Sequence, residues 1–210
     1  MKIGIIGSGN IGANAARLFV RAGHEVLLSN SRGGLGLDEL VAELGEKAQA
    51  APTEEAARLG EVLLLAIPFG KFRTLPADGF KGKIVIDAGN YYPGRDGSFA
   101  ELDRDETTSS ELLAAHLDGA RLVKGFNTIW FEHLRTQGDT SKPIEERRAI
   151  FIAGDDVEAK ERVARLIEEI GFAAVDTGSL SEGGRRQQPG TSVYNKELTA
   201  RDAERVLASA

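Results

Sequence analysis

Near its N-terminus the chain reads Gly7-Ser8-Gly9-Asn10-Ile11-Gly12, three glycines at the spacing of a phosphate-binding turn. Each glycine answers a separate physical need. The first allows a tight turn out of a strand. The second has no Cβ, so a pyrophosphate can approach the backbone, and the third lets a helix pack closely on the strand. The opening turn of that helix offers unpaired N–H groups and a positive dipole end to the same phosphates. The chemistry these residues suit is the binding of a dinucleotide.

A carboxylate at the end of the next strand would bond the ribose hydroxyls of NAD. Here that place reads Leu28-Ser29-Asn30-Ser31-Arg32-Gly33, without one. Arg32 can pair with a 2′-phosphate and stack on adenine, and Asn30 and Ser31 can donate hydrogen bonds to it. NADP(H) is therefore the expected cofactor; the alternative for Arg32 is a solvated loop arginine. Two further segments fall at carboxyl ends of strands, where open α/β sheets bind ligands: Ala66-Ile67-Pro68-Phe69 and Asp87-Ala88-Gly89-Asn90. Of these, Ala66, Ile67, Pro68, Ala88 and Asn90 are expected at the cofactor, although Ile67 and Pro68 read equally well as simple strand termination.

These residues need a sheet to position them. Lys2–Ile6 is a short β-branched run suited to a buried parallel strand, and 10–22 has apolar residues at helical spacing until Gly23. Strands follow at 25–29, 47–50, 61–67 and 83–87, separated by helical segments at 37–44 and 53–59, the latter with Thr53 as N-cap. Between Ala88 and Thr108 periodicity disappears, which in a compact domain points to a functional connection. A helix at 109–116 and a strand at 121–126 restore order. A strand at 148–153, a helix at 157–170, a strand at 173–176 and a closing helix at 196–207 complete the pattern. The expected fold class is α/β: a Rossmann-type, doubly wound, mostly parallel sheet with a short α/β C-terminal extension. Residues 1–125 would form the NADP-binding domain. Residues 126–210 would extend the same sheet and supply acceptor-site and dimer contacts.

Composition narrows the function classes. The 210 residues are 41% hydrophobic and 28% charged, with a net charge of −6, which argues against a general nucleic-acid binder. There are no cysteines, and the three histidines are well separated, so no metal site is expected. No apolar run approaches the ~20 residues that span a bilayer, and the N-terminus does not read as a signal peptide. A cytoplasmic protein with no membrane partner is the expectation.

Gly7–Gly12 and Ser29–Gly33, with Asn127-Thr128-Ile129, Ala153-Gly154-Asp155-Asp156 and Asp176-Thr177-Gly178-Ser179-Leu180, resemble the coenzyme F420-dependent NADP oxidoreductases over nearly the whole chain. That family is related more distantly to pyrroline-5-carboxylate reductases and to the cytoplasmic domain of the STEAP metalloreductases. The resemblance implies a small protein, often a homodimer, that moves a hydride between NADP(H) and a deazaflavin. It implies that Ser8, Asn10, Ile11, Ser31 and Arg32 touch NADP, and that Ile67 and Pro68 lie near the nicotinamide ribose. It also places Asn127 and Thr128 near the nicotinamide ring and the acceptor, as positioning groups in catalysis. The chain departs from the family's His-Thr-Ile-Pro segment and apolar tail, reading Asn127-Thr128-Ile129-Trp130 and a polar stretch at 183–190. It also carries the insert Asn90-Tyr91-Tyr92-Pro93-Gly94-Arg95-Asp96-Gly97.

Hydride transfer asks for two planar rings held face to face and little else from side chains. For a deazaflavin or flavin acceptor, Tyr91, Tyr92, Trp130 and Phe131 can form an apolar ledge, and Asn127, Thr128 and Arg186 can donate to it. Each has another reading: Trp130 and Phe131 as core, Tyr91 and Tyr92 as a dimer contact, Arg185-Arg186 as a solvated pair. Lys124 and Asn127 share the Lys-x-x-Asn spacing of hydroxyacid dehydrogenases, but Lys124 falls in a strand. His133 reads as a proton donor or as a surface helix position. The expected function is hydride transfer between NADPH and a small planar acceptor, with coenzyme F420 a candidate. The alternatives are a flavin/metal or imine reductase, and an NADP(H) sensor without turnover. A reductase needs a second cavity of roughly 300 Å³ beside the nicotinamide, and a sensor does not.

Overall fold

The computed structural model describes residues 1–209. Eight strands form one sheet: β1 (Lys2–Ile6), β2 (Glu25–Ser29), β3 (Ala48–Ala50), β4 (Val62–Leu65), β5 (Ile84–Asp87), β6 (Arg121–Gly125), β7 (Ala149–Gly154) and β8 (Ala173–Asp176). Among the described residues ten α-helices accompany them, besides four short 3-10 helices. The α-helices are α1 (Asn10–Arg21), α2 (Asp38–Leu44), α3 (Thr53–Leu59), α4 (Pro93–Asp96), α5 (Ala100–Asp103), α6 (Ser109–His116), α7 (Phe131–Thr136), α8 (Val157–Glu169), α9 (Glu182–Arg186) and α10 (Ala200–Ala208).

The strand order is β3-β2-β1-β4-β5-β6-β7-β8. Every pair is parallel except β6 with β7. The sheet is therefore mostly parallel, as expected. Because side chains alternate across a strand, each strand feeds two cores. Val62 and Leu64 join Ile3, Ile5, Ile86 and Ile152 under α1 and α8. Leu63 and Leu65 join Val85 and Leu122 under α3 and α6. Further along, Ala149 and Phe151 face α10 with Val175. The last two strands share the first core with the rest of the sheet and continue it.

Several boundaries differ from the sequence reading, for local reasons. Thr53 does not cap its helix. Pro52 holds the N-cap position, and the Thr53 hydroxyl pairs instead with that of Ser29 at 2.9 Å. The strand expected to reach Phe126 stops at Gly125, because Phe126 takes a left-handed backbone (φ 65). The closing helix begins at Ala200, since 196–198 is irregular and Thr199 bridges to Arg148 before capping the helix. The aperiodic stretch 88–108 contains two single helical turns, α4 and α5, too short to show a period.

The extension is tied to the nucleotide half at the base of β6. Arg121 grips Asp156 with two hydrogen bonds of 2.6 and 2.7 Å, while Asp156 caps α8 through the Ala159 N–H. The Arg121 guanidinium first, and the Ala159 N–H next, pull the Asp156 carboxyl down to about 2. Its folded pKa lies below the unfolded value of about 4, so its stabilisation is present above that value and is lost as pH falls toward 2. Asp156→Asn keeps a capping oxygen but removes the charge. Wild type is expected to lose melting temperature more steeply than this variant between about pH 4 and pH 2. Parallel declines in a pH series would mean the pair contributes nothing.

Candidate functional site

Four carboxyl ends of parallel strands converge where the strand order reverses about β1. After β1 comes the glycine turn, after β4 Ala66–Pro68, after β5 Ala88–Asn90 and after β6 the segment 126–130. Between them lies a cavity of about 380 Å³, reached by Gly9, Asn10, Ile11, Ala66, Ile67, Pro68, Ala88 and Asn90 of the expected cofactor residues.

The three glycines have different causes in the fold. A Cβ on Gly12 would sit 1.8 Å from the Gly7 carbonyl oxygen, and one on Gly7 (φ +106) 2.3 Å from that of Ala66. Both are required by the protein's own packing. At Gly9 a Cβ would meet nothing within 4 Å, and its φ of −70 suits any residue. Nothing in the chain demands glycine there. The space a methyl would take at the first turn of α1 is what an approaching pyrophosphate would use.

Beyond β2 the chain turns through 31–36 with Ser31 and Arg32 exposed. Among the described residues Arg32 forms no ion pair, and its guanidinium lies against Gly36, where a Cβ would come within 2.9 Å. Asn30 behaves differently from the expectation. Its carbonyl oxygen accepts from the Arg32 and Gly34 N–H groups, and its amide donates to Leu35 O. It shapes the loop, with one amide proton on Leu35 O and the second uncommitted. Ser31 and Arg32 remain available.

The side chains expected at the far end of the cavity divide between those that reach it and those that do not. Asn127 lines the cavity and is almost fully buried. Its amide donates to Asn90 Oδ1 (3.1 Å) and Gln187 O (2.9 Å), and the Asn90 amide returns a bond to Asn127 O at 2.8 Å. Asn127 Oδ1 is left with no donor. An unpaired buried acceptor costs about 1–3 kcal/mol, so this atom calls for a donor the chain does not supply. Thr128 does not reach the cavity. It is buried beside it, and its carbonyl receives the Asn195 N–H at 2.9 Å.

Trp130 is not core. It is 48% exposed, stands at the N-cap of α7 and lines the cavity together with Phe131. Tyr92 lines it too, whereas Tyr91 turns away to pack on Phe69 and Phe99 and donates to Asp103. Arg186 is exposed and outside the cavity lining, and Arg185 is paired with Asp105. His133 faces Glu197 at 3.3 Å, not the cavity. Lys124 spends its three protons on Asp87, Gly89 O and Ser110, which leaves none for catalysis.

Sequence reasoning pointed to the segments 88–108 and 179–194 without singling out Arg95 or Tyr194, and it missed Asn195; all three are on the cavity wall. Of three non-glycine residues with positive φ among those described, Phe126 and Asn195 border this cavity. Such conformations cost about 1–3 kcal/mol each and tend to persist where they position a site. An aromatic beside asparagine in the polar loop 190–195 was the only sequence signal. No group of His, Asp or Glu among the described residues could hold a metal ion, and no helix is long and apolar enough to cross a membrane.

Comparison with known proteins fits this geometry. Residues 2–91 match the family described as NADP oxidoreductase, coenzyme F420-dependent. The matched segment runs from β1 through β5 to the residues that follow it. A Sinorhizobium meliloti protein of hypothetical function has a TM-score of 0.82 at 29% identity, over 95% of both chains. A provisionally assigned F420-dependent NADP reductase from an Arthrobacter species gives 0.71 at 22%, over 100% of this chain and 91% of that one, and shows the shared fold. Metalloreductase STEAP3 of Rattus norvegicus is 30% identical over 184 residues, 86% of this chain. The chain spans about a third of the length of that relative, 34%.

Proposed function

We propose that this protein is an NADP(H)-dependent oxidoreductase that transfers a hydride between NADPH and a small planar acceptor, with coenzyme F420 the first candidate. The observation that carries the proposal is a cavity of about 380 Å³ that runs from the glycine turn at Gly9–Ile11 to an aromatic end walled by Tyr92, Phe126, Trp130, Phe131 and Tyr194. The glycine-turn end suits the cofactor and the aromatic end suits an acceptor ring; a sensor needs only the first.

In this reading the pyrophosphate lies on the α1 N-terminus over Gly9, flanked by Ser8, Asn10 and Ile11. Arg32 and Ser31 take the 2′-phosphate. Ile67, Pro68 and Ala88 border the nicotinamide ribose, and the carboxamide N–H of the nicotinamide satisfies Asn127 Oδ1. The bound cofactor supplies the hydride. The chain's part is to hold the ring against the cavity, exclude water from it, and present the acceptor on the aromatic wall. The similarity to STEAP3 supports a second reading, in which the acceptor is a flavin that passes electrons to a metal.

Trp130 is the one tryptophan of the chain and lines the cavity, so its fluorescence reports binding. NADPH is expected to quench it at lower concentration than NADH. Arg32→Glu removes charge-assisted bonds of about 1.5–3 kcal/mol, so NADPH affinity should fall by about 10- to 100-fold while NADH is nearly unaffected. Equal affinities for both cofactors, unchanged in the variant, would refute the phosphate site. Anaerobic NADPH oxidation with a deazaflavin, FMN, a ferric chelate and a cyclic imine then identifies the acceptor class. Tight NADPH binding with no turnover on any of them favours the sensor.

A further inference from the structure

Two phenols stand on the wall of the acceptor cavity. Tyr92 comes from the segment after β5 and Tyr194 from the segment before α10, and their hydroxyls are hydrogen-bonded to each other. The guanidinium of Arg95 lies 4.9 Å from the centroid of the Tyr92 ring. It is fixed there by Asn90 O at 2.7 Å and by both oxygens of Asp96.

The lining of this cavity contains no carboxylate, no histidine and no lysine; Arg95 is its one charged side chain. An acceptor that needs a proton along with the hydride can take it only from a phenol or from water. In a phenol pair one proton lies between the two oxygens and the other is free. Burial first, and the bond to Tyr92 next, push the Tyr194 phenol well above its ordinary range. Either hydroxyl can be the donor of this pair, and in the arrangement where Tyr194 donates, the Tyr92 proton is left for the cavity. A phenolate formed on Tyr92 would retain the Tyr194 hydrogen bond and the Arg95 cation over its ring.

We propose that Tyr92 is the proton donor of the acceptor site, supported by Tyr194, and that the acceptor takes a hydride at carbon and a proton at nitrogen. A cyclic imine and a deazaflavin share that chemistry. This rests on the NADPH-dependent reading above. In the step, the C4 hydride of NADPH carries two electrons to the acceptor carbon, forming C–H and leaving NADP⁺. The π pair of the acceptor moves to its nitrogen, where it forms N–H with the Tyr92 proton. The Tyr92 phenolate then regains a proton from water.

The test is anaerobic NADPH oxidation by the full chain with 1-pyrroline in one arm and coenzyme F420 in the other. Wild type should turn over at least one of them with a solvent deuterium isotope effect on kcat. Tyr92→Phe should lower kcat by about 100-fold or more, the range expected for removing a positioned acid, and should abolish that isotope effect. Trp130 quenching by NADPH should not change. Tyr194→Phe should lose less, and the double variant no more than Tyr92→Phe, because the two hydroxyls act as a unit. Melting temperatures identify any variant that has merely unfolded, and Tyr194→Phe then carries the comparison. A Tyr92→Phe enzyme with wild-type kcat overturns the proposal. So does a wild type that binds NADPH yet reduces neither acceptor. Failure of wild type to bind NADPH at all would instead overturn the cofactor reading.

Discussion

Gly12→Ala is expected to destabilise the protein and to abolish measurable NADPH binding, whereas Gly9→Ala should abolish binding alone. The difference comes from what each new methyl would meet. At Gly12 a Cβ lies 1.8 Å from the Gly7 carbonyl oxygen and 3.4 Å from Ile5 Cγ2, so α1 must move away from β1. Gly7 cannot yield in turn, because its own positive φ and the nearby Ala66 carbonyl fix it. Forcing atoms into such a contact costs about 1–3 kcal/mol and at times more, and here it also shifts the helix whose N–H groups would meet the phosphates. At Gly9 the methyl has open space in the folded chain, so the melting temperature should stay within about 1 °C of wild type. The same methyl stands where the pyrophosphate must approach. Thermal unfolding and Trp130 quenching separate the two effects. If Gly9→Ala binds NADPH as wild type does, the phosphates do not sit on this turn.

The two glycines also show why the nucleotide half was legible in the sequence. A glycine turn between a β-branched run and an apolar helical period is a local pattern, and local patterns are visible one residue at a time. The same holds for Ser31-Arg32 in place of a carboxylate. What the pattern could not give was how the polar side chains are used. Asn30 looked like a phosphate ligand because of its type, yet three backbone groups of its own loop engage it. Thr53 had the residue type of an N-cap, but the fold puts it one position inside the helix, against Ser29.

The aromatic half of the cavity was harder because its walls come from distant segments. Tyr92 and Tyr194 are 102 residues apart, and Asn127 meets Gln187 across 60. Nothing periodic announces such pairs. The aromatic insert at 90–97 pointed to the correct region but not to the division of labour within it, where Tyr91 supports a core and Tyr92 faces the cavity. Lys124 was correctly placed in a strand by its apolar neighbours. Its role follows only from register, since Asp87 is its direct partner on β5.

That register makes the Asp87–Lys124 pair the second site with a large expected effect. Both side chains are nearly sealed from water, at 3% and 1% exposure. Lys124 Nζ reaches Asp87 Oδ2 at 3.3 Å, Gly89 O at 3.0 Å and Ser110 Oγ at 3.0 Å. Asp87 in turn accepts from the Gly89 N–H at 2.8 Å and from Ser110 at 2.7 Å. The pair therefore clamps both backbone groups of Gly89, which lies between Ala88 and Asn90 on the cavity floor. Removing one partner strands a buried charge, which typically costs about 3–5 kcal/mol, whereas removing both charges together is often nearly neutral. Lys124→Met should thus fall by about 3–5 kcal/mol in denaturant unfolding, and Lys124→Met with Asp87→Asn should regain most of the loss. The double variant frees the Gly89 carbonyl from its cation, so it should bind NADPH more weakly than its stability suggests. If the double variant is as unstable as the sum of the singles, the two residues are not coupled. If it recovers both stability and affinity, the ion pair holds β5 and β6 together but does not shape the cavity.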